Sequence, residues 1–299
     1  METGDSDFVE QTFGFVLRRA PDAEAKSSAL DRLGAGTLSR AGLVAELVAS
    51  DEFERLRALD DAVAFAAWAR SAGERPRGLR GPPGSDERVI EIPWVLSRYG
   101  GEPRVLDVGT AHAPSAYVQA LAAATPGRPT AVDLAVTELD GFECVTADLR
   151  ALPFDDGSFD VAFCVSTLEH VGADNALYGV AGERDADGIA RALRELGRVV
   201  ARGGRLLVTV PCGASEEHGW FVQHDEGGWL ELFAAAGLHV EEHELYALDE
   251  HGWSSTDSLE AGYATVGPAA SGVLCAELHP GRLRHAVQRA LRRAAGRYS

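Results

Sequence analysis

The sequence predicts an α/β protein: an open, mostly parallel β-sheet with helices on its faces, preceded by an all-helical segment. Three observations predict it. First, residues 105–108, Val-Leu-Asp-Val, form a short apolar run that holds one carboxylate, Asp107, and closes at Gly109. Such a run reads as a buried parallel strand. Ala111 and Ala113 keep the following turn small, and Pro114-Ser115 open a helix over 115–124, because proline suits a first helical turn. Second, the next strand-like runs end on acids or polar groups. Asp133 lies at the end of 129–134, Asp148 follows 143–147, and 159–166 runs into Thr167-Leu168-Glu169-His170. Third, residues 239–248 and 269–278 alternate in polarity, as a closing antiparallel pair would. In an open α/β sheet, ligands bind in the crevice at the carboxyl ends of the strands, where helix N-termini offer bare backbone N–H groups.

Composition narrows the function classes. At 299 residues the chain is long enough for two domains, and its 45% apolar and 25% charged content is that of an ordinary globular protein. A net charge of −18 disfavours non-specific binding of nucleic acid or of an anionic membrane by the body of the protein. No stretch approaches the roughly 20 apolar residues that span a bilayer, and the acidic N-terminus has no apolar signal core, so a cytoplasmic protein is expected. Cys144, Cys164, Cys212 and Cys275 show no C-x-x-C spacing, which points to reduced core thiols rather than disulfides or zinc. No metal ligand set is assigned.

Residues 7–72 read as helices. Val9, Phe13, Val16 and Leu17 recur at helical spacing. Pro21-Asp22 starts a second helix, stopped by Gly34 and Gly36. Ser39 caps a third, whose apolar face is Leu43, Val44, Leu47 and Val48. Ser50-Asp51-Glu52 starts a fourth, since carboxylates favour the positive end of the helix dipole. The runs Leu17-Arg-Arg-Ala-Pro-Asp22, Leu33-Gly-Ala-Gly-Thr-Leu-Ser-Arg-Ala-Gly-Leu43 and Ala49-Ser-Asp-Glu-Phe53 resemble a small bacterial helical domain of unknown function, likened to phycobilisome linkers. That resemblance implies docking or substrate presentation, or a homodimer contact; a helical cap on the catalytic domain is the other reading. Residues 73–86 are rich in glycine and proline and form a linker or an active-site strap. A helix over 86–99 follows, with Pro93 kinking it or opening its first proper turn.

The carboxylate after the second strand lies a little over ~20 residues beyond the glycine turn, the place from which an acid grips a ribose diol. The run Val105-Leu-Asp-Val-Gly109, then Val132-Asp133-Leu134, then Ala147-Asp148 through Phe159-Asp160, and Leu196-Gly-Arg-Val-Val-Ala-Arg-Gly-Gly-Arg-Leu-Leu-Val208 resemble the class I S-adenosylmethionine-dependent methyltransferases. The resemblance covers residues 87–280 and implies a Rossmann-like seven-stranded sheet, mostly parallel with the last strand antiparallel. It departs from the family where Ala111 and Ala113 replace glycines, and positions needing positive φ would be strained there. It implies that Asp107, Gly109 and Ala111 meet the methionine end of the cofactor, Asp133 with Leu134 the ribose, and Asp148 with Leu149 the adenine. The lead-in run Glu87-Arg-Val-Ile-Glu-Ile-Pro-Trp-Val-Leu-Ser-Arg-Tyr99 resembles a subgroup found near glycan and natural-product genes, although Tyr178-Gly179 is followed by Val180 where that subgroup has aspartate.

Histidines supply candidates for a general base, since imidazole titrates near neutrality. His170 follows the fourth strand and serves as base or as a structural, substrate-orienting group. His218 and His224 lie in the polar-aromatic stretch 211–225 after the fifth strand (205–210), a loop of lid length. Gly203-Gly204 ends the preceding helix, and His251-Gly252-Trp253 is expected in a loop shaping the acceptor pocket. The tail, 282–299, holds six arginines and no acid along an apolar stripe. It reads as a basic helix for peripheral contact with an anionic surface or an acidic partner, or for this protein's own acidic surface. The expected activity is methyl transfer from S-adenosylmethionine to a sugar or other small-molecule hydroxyl, with no nucleic-acid partner. The alternatives are a non-catalytic scaffold on the same fold, or N- or C-methylation.

Overall fold

The computed structural model describes residues 4–135, 138–176, 184–266 and 269–281, and divides the chain near Asp61 into two compact units. Tyr178-Gly179-Val180 and the basic tail lie outside the described residues. The first unit holds α1 (Asp5–Val16), α2 (Ala23–Gly34), α3 (Arg40–Val48) and the start of α4 (Asp51–Ala72). Side-chain caps set these helices. Asp22 accepts from the Ala25 N–H at 2.8 Å, Ser39 from Gly42 at 3.0 Å and Ser50 from Phe53 at 3.2 Å. Val9, Phe13, Leu17, Ala29 and Leu43 form a core of their own.

The second unit is built on an eight-stranded sheet. Its strands are β1 (Val105–Val108), β2 (Thr130–Asp133), β3 (Glu143–Thr146), β4 (Phe159–Val165), β5 (Val200–Pro211), β8 (Leu238–Asp249), β9 (Gly252–Thr256) and β10 (Gly272–Pro280), in the order β3-β2-β1-β4-β5-β10-β8-β9. The five strands from β3 to β5 are parallel, and β10 runs antiparallel between β5 and β8. The strand order reverses direction between β1 and β4, which opens a crevice at their carboxyl ends. On one face, α7 (Gly188–Val199) and α8 (Glu226–Ala235) bury Leu193, Leu196, Val199, Trp229 and Phe233 against Leu206, Val208, Leu274 and Ala276. On the other lies α5 (Arg88–Arg98), with Val89 to Arg98 buried throughout and Pro93 inside the helix.

Three expectations are corrected. His251-Gly252-Trp253 is not a pocket loop: it turns into β9, an eighth strand beyond the seven expected, and Trp253 is buried with its indole N–H donating to Ser85 O at 3.2 Å. Gly203-Gly204 does not end a helix. α7 stops at Val199, and the glycines sit in an irregular start of β5, where a Cβ on Gly204 would come within 2.5 Å of Asp160 O. The stretch after β5 is not a plain loop, since β6 (Glu216–Glu217) and β7 (Val222–Gln223) pair as a short hairpin held by the buried Phe221 and Gln223.

The breaker-rich stretch before α5 is a docked strap. Gly78 N–H donates to Glu244 Oε2 at 3.0 Å, Leu79 N–H to Tyr246 Oη at 3.3 Å, and Gly81 bridges Trp253 through backbone bonds in both directions. A side chain at Gly81 would meet Val89 at 2.5 Å, so glycine permits the close approach.

Candidate active site

The carboxyl ends of β1, β2 and β4 converge on one pocket. β1 ends at Gly109, whose φ of 78° is left-handed, and a Cβ there would lie 2.1 Å from Thr167 Oγ1. Gly109 is therefore required both for its dihedral and for its contact. The turn then continues through Thr110–His112 as one turn of 3₁₀ helix into Ala113, φ −67°, and α6 (Ser115–Ala124). Ala111 is not among the residues with positive φ, so the alanines that replace glycines here are unstrained. Asp133 spans two loops. Its Oδ2 accepts from Ala111 N–H and its Oδ1 from Ala135 N–H, both at 2.9 Å. A carboxylate offers about four lone-pair sites, so two such bonds leave capacity for a diol.

Of the residues predicted for the cofactor, Asp107, Gly109, Asp133, Leu134, Asp148 and Leu149 line this pocket together, and His170 joins them. Ala111 acts through its backbone bond to Asp133. Among the described lining residues His218 and His224 do not appear. His218 lies on the hairpin, 2.8 Å from Glu216 Oε2 and stacked on Phe221, while His224 packs edge-on against Trp229.

Burial dominates the electrostatics. It raises Asp107 to about 7, against the opposing pull of the Tyr117 hydroxyl, which donates to Asp107 Oδ1 at 2.7 Å. Asp107 Oδ2 is buried with no partner among the described residues. Glu169, next to His170, is raised by burial to about 8 and also keeps an unpartnered oxygen, Oε2. Asp148 is held below the ordinary carboxylate range by Arg150, whose Nη2 donates to it at 2.6 Å and whose Nη1 reaches Asp185 at 3.0 Å. His170 is lowered by burial, so it is neutral at neutral pH. Its Nδ1 lies 3.0 Å from Trp220 O. A carbonyl only accepts, so the proton sits on Nδ1 and the lone pair on Nε2. The ring stacks on Trp220 at 5.3 Å.

Sequence reading missed Tyr117, Arg88, Arg150, Ser166 and Thr167, all of which line the pocket. Arg150 was visible as an arginine two residues past an expected adenine-binding acid. Tyr117 carried no local signal, since only the fold turns its hydroxyl to Asp107.

Residues 106–208 match the family profile described as a methyltransferase domain. Over this segment the sequence is similar to methyltransferase domains, and methyl transfer is the enzyme activity this supports. None of the curated proteins compared matches the chain. Among solved structures, the chain is similar to the 1,6-didemethyltoxoflavin-N1-methyltransferase of Burkholderia thailandensis, crystallised with S-adenosylhomocysteine: 17% identity, 60% of this chain and 72% of that one, TM-score 0.40. It is also similar to an S-adenosylmethionine-dependent methyltransferase of Methanosarcina mazei, at 13% identity over 63% and 97% of the two chains with TM-score 0.44. The [4+2]-cyclase SpnF matches at 20% identity over 62% and 72%, TM-score 0.42.

The pocket's own chemistry fits S-adenosylmethionine as a methyl donor. Bare backbone at Gly109, the orphaned Asp107 Oδ2, the half-buried Asp133 and the apolar walls at Val132 and Leu149 suit a ligand with a cationic end, a ribose and a flat apolar base. Among the described residues no helix is long and apolar enough to cross a membrane.

Proposed function

We propose that this protein methylates a hydroxyl of a sugar or another small molecule, in glycan or natural-product biosynthesis. When bound, S-adenosylmethionine supplies a methyl group on an already activated sulfonium, so the protein contributes alignment and removal of the acceptor's proton. The observation that carries the reading is the place of His170: it lines the pocket at the end of the turn after β4, with burial holding its ring neutral and Trp220 O fixing its Nδ1. A hydroxyl needs such a base more than an amine does. Asp107, Gly109 and Ala111 then face the methionine end, Asp133 and Leu134 the ribose, and Asp148 and Leu149 the adenine. Asp148 already pairs with Arg150, so an adenine amino group shares that carboxylate rather than filling it. His218 and His224 stay candidates for orienting the acceptor from the hairpin side.

In this reading, residues 1–72 are a helical docking domain, 73–86 a linker strapped to the sheet, 87–280 the catalytic domain and 281–299 a basic helix that touches an anionic surface or partner. The separate core of Val9, Phe13 and Leu43 supports an independent first domain. The cellular setting proposed is the cytoplasm.

Calorimetric titration with S-adenosylhomocysteine tests the cofactor site. Asp133→Ala removes a carboxylate that both braces Ala111 and meets the ribose, and should weaken binding roughly 10- to 100-fold, the value of one or two charged hydrogen bonds. Unchanged affinity refutes the assignment. With a sugar or phenol acceptor found by screening, His170→Ala should lower kcat by roughly 100- to 10,000-fold with little change in cofactor affinity. An unaltered kcat removes His170 as the base.

A further inference from the structure

Ser166 stands at the carboxyl end of β4 with φ 41°, one of the few left-handed residues other than glycine among those described. Such a conformation is disfavoured for any residue with a side chain and persists only where the surroundings hold it. Its N–H and its hydroxyl both hold Ser166. The N–H donates to Thr209 O on β5 at 3.0 Å and is shared with the Thr209 hydroxyl at 3.3 Å, and the Ser166 hydroxyl donates to Glu91 Oε1 on α5 at 2.6 Å. Glu91 is fully buried, and its other oxygen, Oε2, accepts from Arg88 Nη1 at 3.0 Å. Each oxygen of this carboxylate thus holds a residue of the pocket wall, since Ser166 and Arg88 both line it.

The turn that Ser166 begins carries the reacting end of the site. Thr167 follows and packs on Gly109, and the 3₁₀ turn Leu168–His170 closes with His170 N–H donating to Thr167 O at 3.1 Å. A change of backbone at Ser166 would therefore swing Thr167 and His170 together. Burying a carboxylate is costly unless it is paired and hydrogen-bonded, so a glutamate that served only to pack α5 on the sheet would be a poor choice. We propose that Glu91 is a positioning residue for methyl transfer. From the lead-in helix it braces Ser166 in its left-handed conformation and sets Arg88 against the pocket, and so fixes where His170 stands. The consequence for catalysis rests on the methyl-transfer reading above; the brace itself does not.

The test uses the full chain and two readouts, the titration of His170 by ring-resolved NMR and calorimetric affinity for S-adenosylhomocysteine. Glu91→Ala should shift the His170 resonances and their titration midpoint and weaken the cofactor analogue several-fold. Ser166→Gly should make the effect of Glu91→Ala clearly smaller, because glycine holds positive φ without a brace and only the release of Arg88 remains. Glu91→Gln keeps an acceptor for the Ser166 hydroxyl and should keep the His170 titration of the wild type. Should Glu91→Ala fail to fold, Ser166→Ala removes the same bond from the other side and takes its place. An unmoved His170 in the alanine variant, an equal loss in the Ser166→Gly background, or a Gln variant as perturbed as the Ala one overturns the proposal. A wild-type protein that does not bind S-adenosylhomocysteine instead defeats the methyl-transfer reading, while the His170 titration still decides the role of Glu91.

Discussion

Asp107 sits at the end of a fully buried strand with one oxygen on the Tyr117 hydroxyl and the other on nothing among the described residues. Burial raises it to about 7, well above the ordinary carboxylate value near ~3.9. Between those values the folded protein holds a proton that the unfolded chain releases. Its contribution to stability is fully present below the unfolded value and is lost as pH rises to 7. Asp107→Asn should therefore flatten the fall in denaturation midpoint between about pH 4 and pH 7, and at neutral pH it should stabilise the ligand-free protein while weakening S-adenosylhomocysteine. Urea midpoints across that range check it; a variant with the wild-type slope shows that Asp107 is not the group titrating. The position of Asp107 was legible as an acid in an apolar run. Its protonation was not, because that depends on the absence of water and on Tyr117, ten residues away on α6.

At the scale of elements, α5 is buried beyond its apolar residues. Its charged residues, Glu91 and Arg98, are fully buried as well. Arg98 Nε reaches Glu242 Oε1 and its Nη2 reaches Glu244 Oε1, each at 2.7 Å, while Trp94 Nε1 donates to Glu244 at 3.0 Å. The strap adds Arg77 to Glu242 from a mostly exposed position. Removing one partner of a buried pair strands the other, so Arg98→Ala should cost about 3–5 kcal/mol of stability. Arg77→Ala, at the wet end of the same network, should cost far less, because solvent screens an exposed ion pair. Chemical denaturation of both variants measures the contrast, and equal losses would mean that the network is uniformly solvated.

At the scale of the molecule, every described residue of the pocket belongs to the second unit, which begins at Ala62. The first unit has its own caps and its own core. A chain cut to residues 62–299 should accordingly bind S-adenosylhomocysteine within about 3-fold of the full chain, a difference below roughly 0.7 kcal/mol. Calorimetry on the folded fragment decides this, and a loss of ten-fold or more would make the helical unit part of the catalytic one.

Local chemistry determined a large share of this protein in advance. The strand ends at Asp107, Asp133 and Asp148, the caps at Asp22, Ser39 and Ser50, and the glycine turn at Gly109 were readable because each depends on neighbours within a few residues. So was the sheet that brings them to one edge, since a buried parallel strand and a helix start have their own residue signatures. Tertiary structure alone decided the rest. It made Gly252 and Trp253 the start of an eighth strand paired with β8, and it brought Gly81 of a distant strap onto Trp253. It put His170, and neither His218 nor His224, in the pocket wall, through the pairing of β4 between β1 and β5. It also placed Glu91 beneath Ser166. Contacts across 75 positions of chain leave no periodicity for a sequence to display, and burial, which sets the charge of Asp107 and Glu169, exists only once those distant segments have closed over them.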